Sequence, residues 1–108
     1  MLRDRETEKA AELVWGAYAL LVKSAAARRG FPLRSHQALR DFAHGIGMEL
    51  GRILSPDQGD AWLSDFTAAE ALHNGFYEGG PDPVAVARLM EKHDGWKGKI
   101  DRVLATGT

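Results

Sequence analysis

The sequence predicts an all-α fold, an antiparallel up-and-down four-helix bundle, on three observations. Apolar residues recur at helical spacing in four long segments, glycine, proline and capping residues punctuate the chain at three places, and no window alternates as a strand would. With 108 residues, 44% hydrophobic and 27% charged, the chain suits one domain, 1–108, with a single core.

The first helix is expected over residues 6–29, rich in Ala, Leu, Glu and Lys, and is ended by Gly30 and Phe31-Pro32. The second follows Ser35 and covers 36–53. In the third, Ser55 caps, Pro56 takes the first position and Gln58 completes the capping-box spacing; the helix is expected to run to Glu78, before Gly79-Gly80-Pro81. Asp82-Pro83 opens the fourth, expected to end near Leu104. Short turns between helices of this length favour antiparallel neighbours.

Projection at 100° per residue locates the core faces. The second helix aligns Leu39, Phe42, Ala43, Ile46, Leu50 and Ile53; the third aligns Trp62, Phe66, Ala69, Leu72, His73 and Phe76; the fourth aligns Val86, Leu89, Met90, His93, Trp96, Ile100 and Leu104. The first helix has two stripes. Ala10, Leu13, Val14, Ala17, Leu21 and Ser24 are assigned to the core, and Ala11, Trp15, Tyr18 and Val22 are left over. A Trp-Tyr-Val patch is costly in water, so a homodimer joined through Ala11, Trp15, Tyr18 and Val22 is expected; the alternative is a first helix buried on two sides. Gly16, Gly45, Gly47, Gly51 and Gly75 fall inside expected helices, each costing up to ~1 kcal/mol relative to Ala, which close helix approach would offset.

No cysteine means no disulfide, thiolate nucleophile or cysteine zinc site. The charged first dozen residues are unlike a signal peptide, and the longest uncharged apolar run, Leu13 to Val22, is half a membrane span, so a soluble cytoplasmic protein with no membrane partner is expected. Residues 1–54 carry nine Lys/Arg against six Asp/Glu, and residues 55–108 five against nine, so the halves attract. Between Lys23 and Arg40 five cations occur with no acid, a stretch that could meet phosphate or the acidic half.

In an up-and-down bundle the first turn region and the end of the third helix share one end. That would gather Arg29, Arg34, His36, Arg40, Glu70, His73 and Tyr77 as a ligand site, with the arginines as anion partners and His36, Glu70, His73 and Tyr77 as its inner wall. Nucleotide or RNA phosphate is the natural guest, and no cofactor is expected. The competing reading is a polar network that only fixes helix register, as in a structural or partner-protein subunit. A carboxylate-bridged metal bundle needs two Glu-x-x-His half-sites; Glu70-x-x-His73 is present, but Asp41-x-x-His44 projects to the solvent side, so no metal is expected. For a metal-independent ribonuclease, Arg88 and His93 diverge by about 140° on one helix, which makes His36 with Arg29 or Arg34 the better catalytic candidate.

Residues Ala69-Glu70-Ala71-Leu72-His73-Asn74-Gly75-Phe76-Tyr77-Glu78 resemble the signature of the PaREP family, small helical proteins grouped with the HEPN superfamily of four-helix nucleotide- or RNA-associated domains. Trp15-Gly16-Ala17, Arg29-Gly30 and Arg34-Ser35-His36 fit the same resemblance, which spans about residues 6 to 104. Gly75 stands where the family tends to place Asn, and the superfamily's arginine-histidine element is matched only loosely, by Arg88 and His93 or by Arg29 and His36. The resemblance implies a homodimeric helical bundle whose ligand is a nucleotide or RNA.

Overall fold

The computed structural model describes residues 5–75 and 80–106. They form four helices: α1 Arg5–Arg28, α2 His36–Ile53, α3 Pro56–Asn74 and α4 Pro83–Thr106. The start signals act as their chemistry dictates. Ser35 Oγ accepts from Ala38 N at 3.0 Å and Ser55 Oγ from Gln58 N at 3.3 Å, each satisfying a donor that has no intrahelical partner. Pro56 occupies the first turn of α3, where its missing N–H costs nothing. α3 is shorter than its sequence pattern suggests. Gly75, at φ 68°, adopts the left-handed conformation of a helix stop and its N–H bonds Ala71 O, so α3 ends at Asn74; Phe76 and the rest of the expected continuation to Glu78 lie outside the described residues.

The helix directions depart from the expected alternation. Trp15 meets His36, and Arg29 meets Glu49, so α1 and α2 run parallel. Arg40 meets Glu70 at one end of α2 and Gly51 faces Pro56 at the other, so α3 runs antiparallel to α2. Asp65 meets Lys92, and Gln58 meets Lys99, so α4 is antiparallel to α3; Tyr18–Leu89 and Arg28–Asp101 make it parallel to α1. Three helices therefore point one way and α3 the other. The reason is the first connection. Residues 29–35 can span about 23 Å when extended, enough to run back the ~20 Å that separates Arg28 from the level of Trp15. Phe31 packs on Phe42 at 6.0 Å and Leu33 on the core along this return path.

The crossing gives α1 contacts with all three other helices and divides the stripe assigned to the core, of which Val14 and Leu21 are buried. Ala11, Trp15, Tyr18 and Val22 are buried against the other helices, whereas Leu13, Leu20 and Ser24 are exposed. The expected dimer contact through Ala11, Trp15, Tyr18 and Val22 is thus corrected, because those side chains are spent inside one chain. The α2 stripe is buried or packed against the core, and so are Trp62, Phe66, Ala69 and Leu72 of α3. His73 is not, and on α4 Met90 is exposed while His93 is half-buried.

Aromatic rings tie the core together. Trp62, fully buried, stacks on Tyr18 at 6.1 Å, meets Trp96 edge-on at 5.6 Å and packs on Phe66 at 5.8 Å. Each buried polar tip has a partner: Trp62 Nε1 donates to Ala43 O (2.9 Å), Trp96 Nε1 to Asp65 (2.8 Å) and Tyr18 Oη to Leu89 O (2.7 Å). Burial, and the charge of Asp65, push the Tyr18 hydroxyl far above the ordinary phenol value.

The glycines divide by what surrounds them. A Cβ on Gly59 would lie 2.5 Å from Gly47 O and 3.0 Å from Gly51 N, and one on Gly47 would press into Leu63 at 2.8 Å, so these residues set the α2–α3 approach. Nothing within 4 Å opposes a Cβ at Gly16 or Gly45. Gly59→Ala should therefore destabilise by about 1–3 kcal/mol through backbone overpacking, while Gly45→Ala should stabilise by up to about 1 kcal/mol through helix propensity. Denaturant unfolding of the two variants checks both signs.

Candidate functional site

The end of the molecule where α2 starts and α3 stops gathers the polar cluster. The Ser35 cap fixes the first turn of α2 with His36 in it, and Arg40 follows four residues on, over the same face. On α3, Glu70 and His73 are spaced i, i+3 near the C-terminus. His36 Nε2 lies 2.8 Å from Glu70 Oε2, and Arg40 Nε donates to the same oxygen at 3.0 Å. The Glu70 side chain is only 12% exposed. Burial pushes its carboxyl up, but the hydrogen bonds from His36 and Arg40, and their charge, outweigh this and hold it below the ordinary carboxylate value. With Nε2 directed at a carboxylate, neutral His36 carries its proton there and keeps Nδ1 as an acceptor.

Trp15 of α1 forms the floor. Its ring stacks on His73 at 5.5 Å and 20°, lies 5.8 Å from His36, and rests edge-on against Phe66 at 5.6 Å. The imidazoles of His36 and His73 are themselves stacked, 6.5 Å apart at 22°. His73 Nδ1 faces Glu12 of α1 at 3.3 Å. The indole is buried, yet the His36 and His73 side chains are 46% and 42% exposed, so the stack opens to the surface.

Of the expected site residues, the fold brings together His36, Arg40, Glu70 and His73. Arg29 is carried to the opposite end, where both its terminal nitrogens donate to Glu49 at 2.6 and 2.9 Å; the parallel crossing of α1 and α2 is the cause. Arg34 is exposed in the connection leading to α2, without an ion pair among the described residues, and Tyr77 lies outside the described residues. Trp15 and Glu12 join the site without having been foreseen, because their place depends on the direction of α2. Aromatic spacing on α1 flagged Trp15 but assigned it to another surface.

The other candidates do not assemble. Arg88 is exposed, whereas His93 turns to the edge of Tyr18 at 5.8 Å and its Nδ1 lies 3.3 Å from Asp94. Asp41 and His44 are exposed, and among the described residues no three of His, Cys, Asp or Glu group as metal ligands would. Compared with family models, curated proteins and solved structures, the chain matches none.

Chemically, the cluster offers a stacked aromatic shelf with two exposed imidazole edges, next to the Arg40 guanidinium and the amino end of α2, with Arg34 exposed in the connection that leads into that helix. The depressed Glu70 carboxyl has a linkage consequence. Its folded-state value lies below the unfolded one, so its contribution to stability is present above the ordinary carboxylate range and is lost as pH falls through the folded value. Glu70→Gln should therefore lower Tm at pH 7, and the difference from the parent chain should shrink steadily towards pH 3. Thermal unfolding across that range measures it.

Proposed function

We propose that this end of the bundle binds a phosphate-bearing ligand, a nucleotide or RNA, with His36, His73 and Trp15 supplying a stacking surface and Arg34 and Arg40 the anion contacts. The observation that carries the reading is the surface stack of His36 and His73 on Trp15 beside Arg40, which shares Glu70 with His36. Bases present π-faces that aromatic shelves accept without regard to sequence, and guanidinium groups and helix amino ends favour phosphate. A four-helix fold carrying such a site on its surface suits an HEPN-like module, and the PaREP-like stretch at residues 69–78 supports the same reading.

A structural role is favoured by a different observation, namely that Glu70 already engages both His36 and Arg40. Ligand binding separates the two. A screen of nucleotides, short single-stranded RNA and inorganic phosphate by calorimetry should find base-containing ligands binding more tightly than phosphate alone. Affinity should fall with rising salt. Arg34→Ala should weaken RNA retention several-fold at low salt without altering Tm, since its side chain is exposed. If no anionic ligand changes stability and Arg34→Ala retains RNA as the parent does, the site is structural. Should RNA be cleaved without divalent metal, His36 is the residue whose replacement by Ala abolishes cleavage; persistence in His36→Ala rules out that chemistry.

A further inference from the structure

We infer that the cleft between α3 and α4 is a second binding site, built for a small oxyanion that carries two or more negative charges, a di- or tricarboxylate or a phosphate ester. The pattern behind it is a basic stripe on α4. Arg88, Lys92, Lys99 and Arg102 fall within about 80° of arc, and Gly95 interrupts them in the middle. Where α4 passes the first half of α3, the stripe borders a cleft of about 300 Å³ lined by Gln58, Ala61, Lys92, Gly95, Trp96 and Lys99. None of these six residues is acidic. Gln58 stands about 22 Å along α3 from His73, so the cleft is separate from the histidine shelf.

Three observations select the ligand. First, the free polar groups of the side chains are donors. Lys99 Nζ lies over the Trp96 ring, 4.7 Å from its centroid, and donates to Gln58 Oε1 at 2.6 Å. No carboxylate among the described residues pairs with it. Gln58, its oxygen engaged, keeps its amide hydrogens to give. Lys92 Nζ lies 3.5 Å from Asp65 Oδ2, the oxygen that also accepts the Trp96 indole N–H at 2.8 Å. Asp65, its side chain 12% exposed, is thus engaged by two donors, whereas Lys92 is half-exposed and keeps further N–H groups. A cleft that offers cationic donors and no free side-chain acceptor selects an oxyanion.

Second, the two ammonium groups are carried two helical turns apart, ~10 Å along the axis of α4. A ligand with two anionic groups engages both, and a monoanion only one. Third, Gly95 lies between them. A Cβ there would meet nothing within 4 Å, so no contact inside the chain requires glycine, although a mid-helix glycine is unfavourable. Its missing side chain deepens the cleft and lets a ligand lie against the helix backbone. Ala61 and the Trp96 ring give the ligand's carbon skeleton an apolar wall. The volume equals that of about ten waters, which suits a small metabolite.

Titration with pyrophosphate, citrate and acetate tests this, followed by the Gly95 amide and Trp96 indole N–H signals in heteronuclear magnetic resonance. Pyrophosphate and citrate should shift both signals and saturate at millimolar concentration or below, and acetate should not; the tighter of the two tells phosphate ester from carboxylate. Lys99→Gln should weaken binding about tenfold, the loss of one charge-assisted contact, with the parent's circular dichroism retained. Gly95→Ala should raise Tm and weaken binding in the same variant, because the methyl group that favours the helix also fills the cleft. A glycine with no ligand beside it would give the first change alone. Arg34→Ala, at the far end of α3, should leave the affinity unchanged. Shifts that do not saturate, equal shifts with acetate, or binding that both Lys99→Gln and Gly95→Ala leave at the parent's value would overturn the inference. A response confined to RNA would make the α4 stripe a nucleic-acid contact, and the inference fails.

Discussion

Trp62 reaches every other helix of the molecule. Its ring meets Tyr18 of α1 and Trp96 of α4, and its indole N–H donates to Ala43 O of α2. A buried indole that loses its acceptor leaves a desolvated donor, so this one hydrogen bond constrains how far α2 can lie from α3. Gly59 and Gly47 make that distance attainable, because any Cβ at Gly59 would strike the α2 backbone. Sheet-like ring stacking then fixes the rotation of α1, since Tyr18 can lie flat on Trp62 only when Trp15, three residues earlier, projects towards Phe66 and the histidines. The core and the surface cluster are in this sense one aromatic chain, running from Trp96 through Trp62 and Phe66 to Trp15 and His73.

Local chemistry was legible in the sequence at the helix starts, where it acts over one turn, but not at the end of α3, where Gly75 stops a helix that was expected to continue. Ser35, Ser55 and Pro56 mark helix starts because their effect depends only on neighbouring backbone groups. The α2 stripe also read correctly, and the α3 stripe did so from Trp62 to Leu72 but not at His73, which is exposed. Direction was not legible. Seven connecting residues allow either a tight reversal or a return along α1, and nothing in their composition distinguishes the two. Once α2 runs parallel to α1, Arg29 goes to Glu49 rather than to the site, and α1 acquires neighbours on the side that a square bundle would leave open.

The charge asymmetry of the sequence is resolved in a similar way. Part of the basic first half is matched by the acidic second half, through Arg28 with Asp101 and Arg40 with Glu70. Such exposed or half-exposed pairs contribute little to stability one by one. Their effect is on register: Arg40 and His36 share one carboxylate, which holds the start of α2 against the end of α3 and so keeps the two imidazoles stacked. α1 consequently carries two unlike surfaces, an aromatic one spent on core and site and an aliphatic one facing outwards.

The central claim is that α1 and α2 run parallel, placing Trp15 beneath His36 and His73. Nuclear Overhauser contacts from the Trp15 indole test it most directly. The structure requires cross-peaks to the ring protons of both histidines, in line with centroid separations of 5.8 and 5.5 Å. An alternating up-and-down bundle would instead place Trp15 beside the C-terminal half of α2, and cross-peaks from its indole to Leu50, with none to His36, would contradict the account.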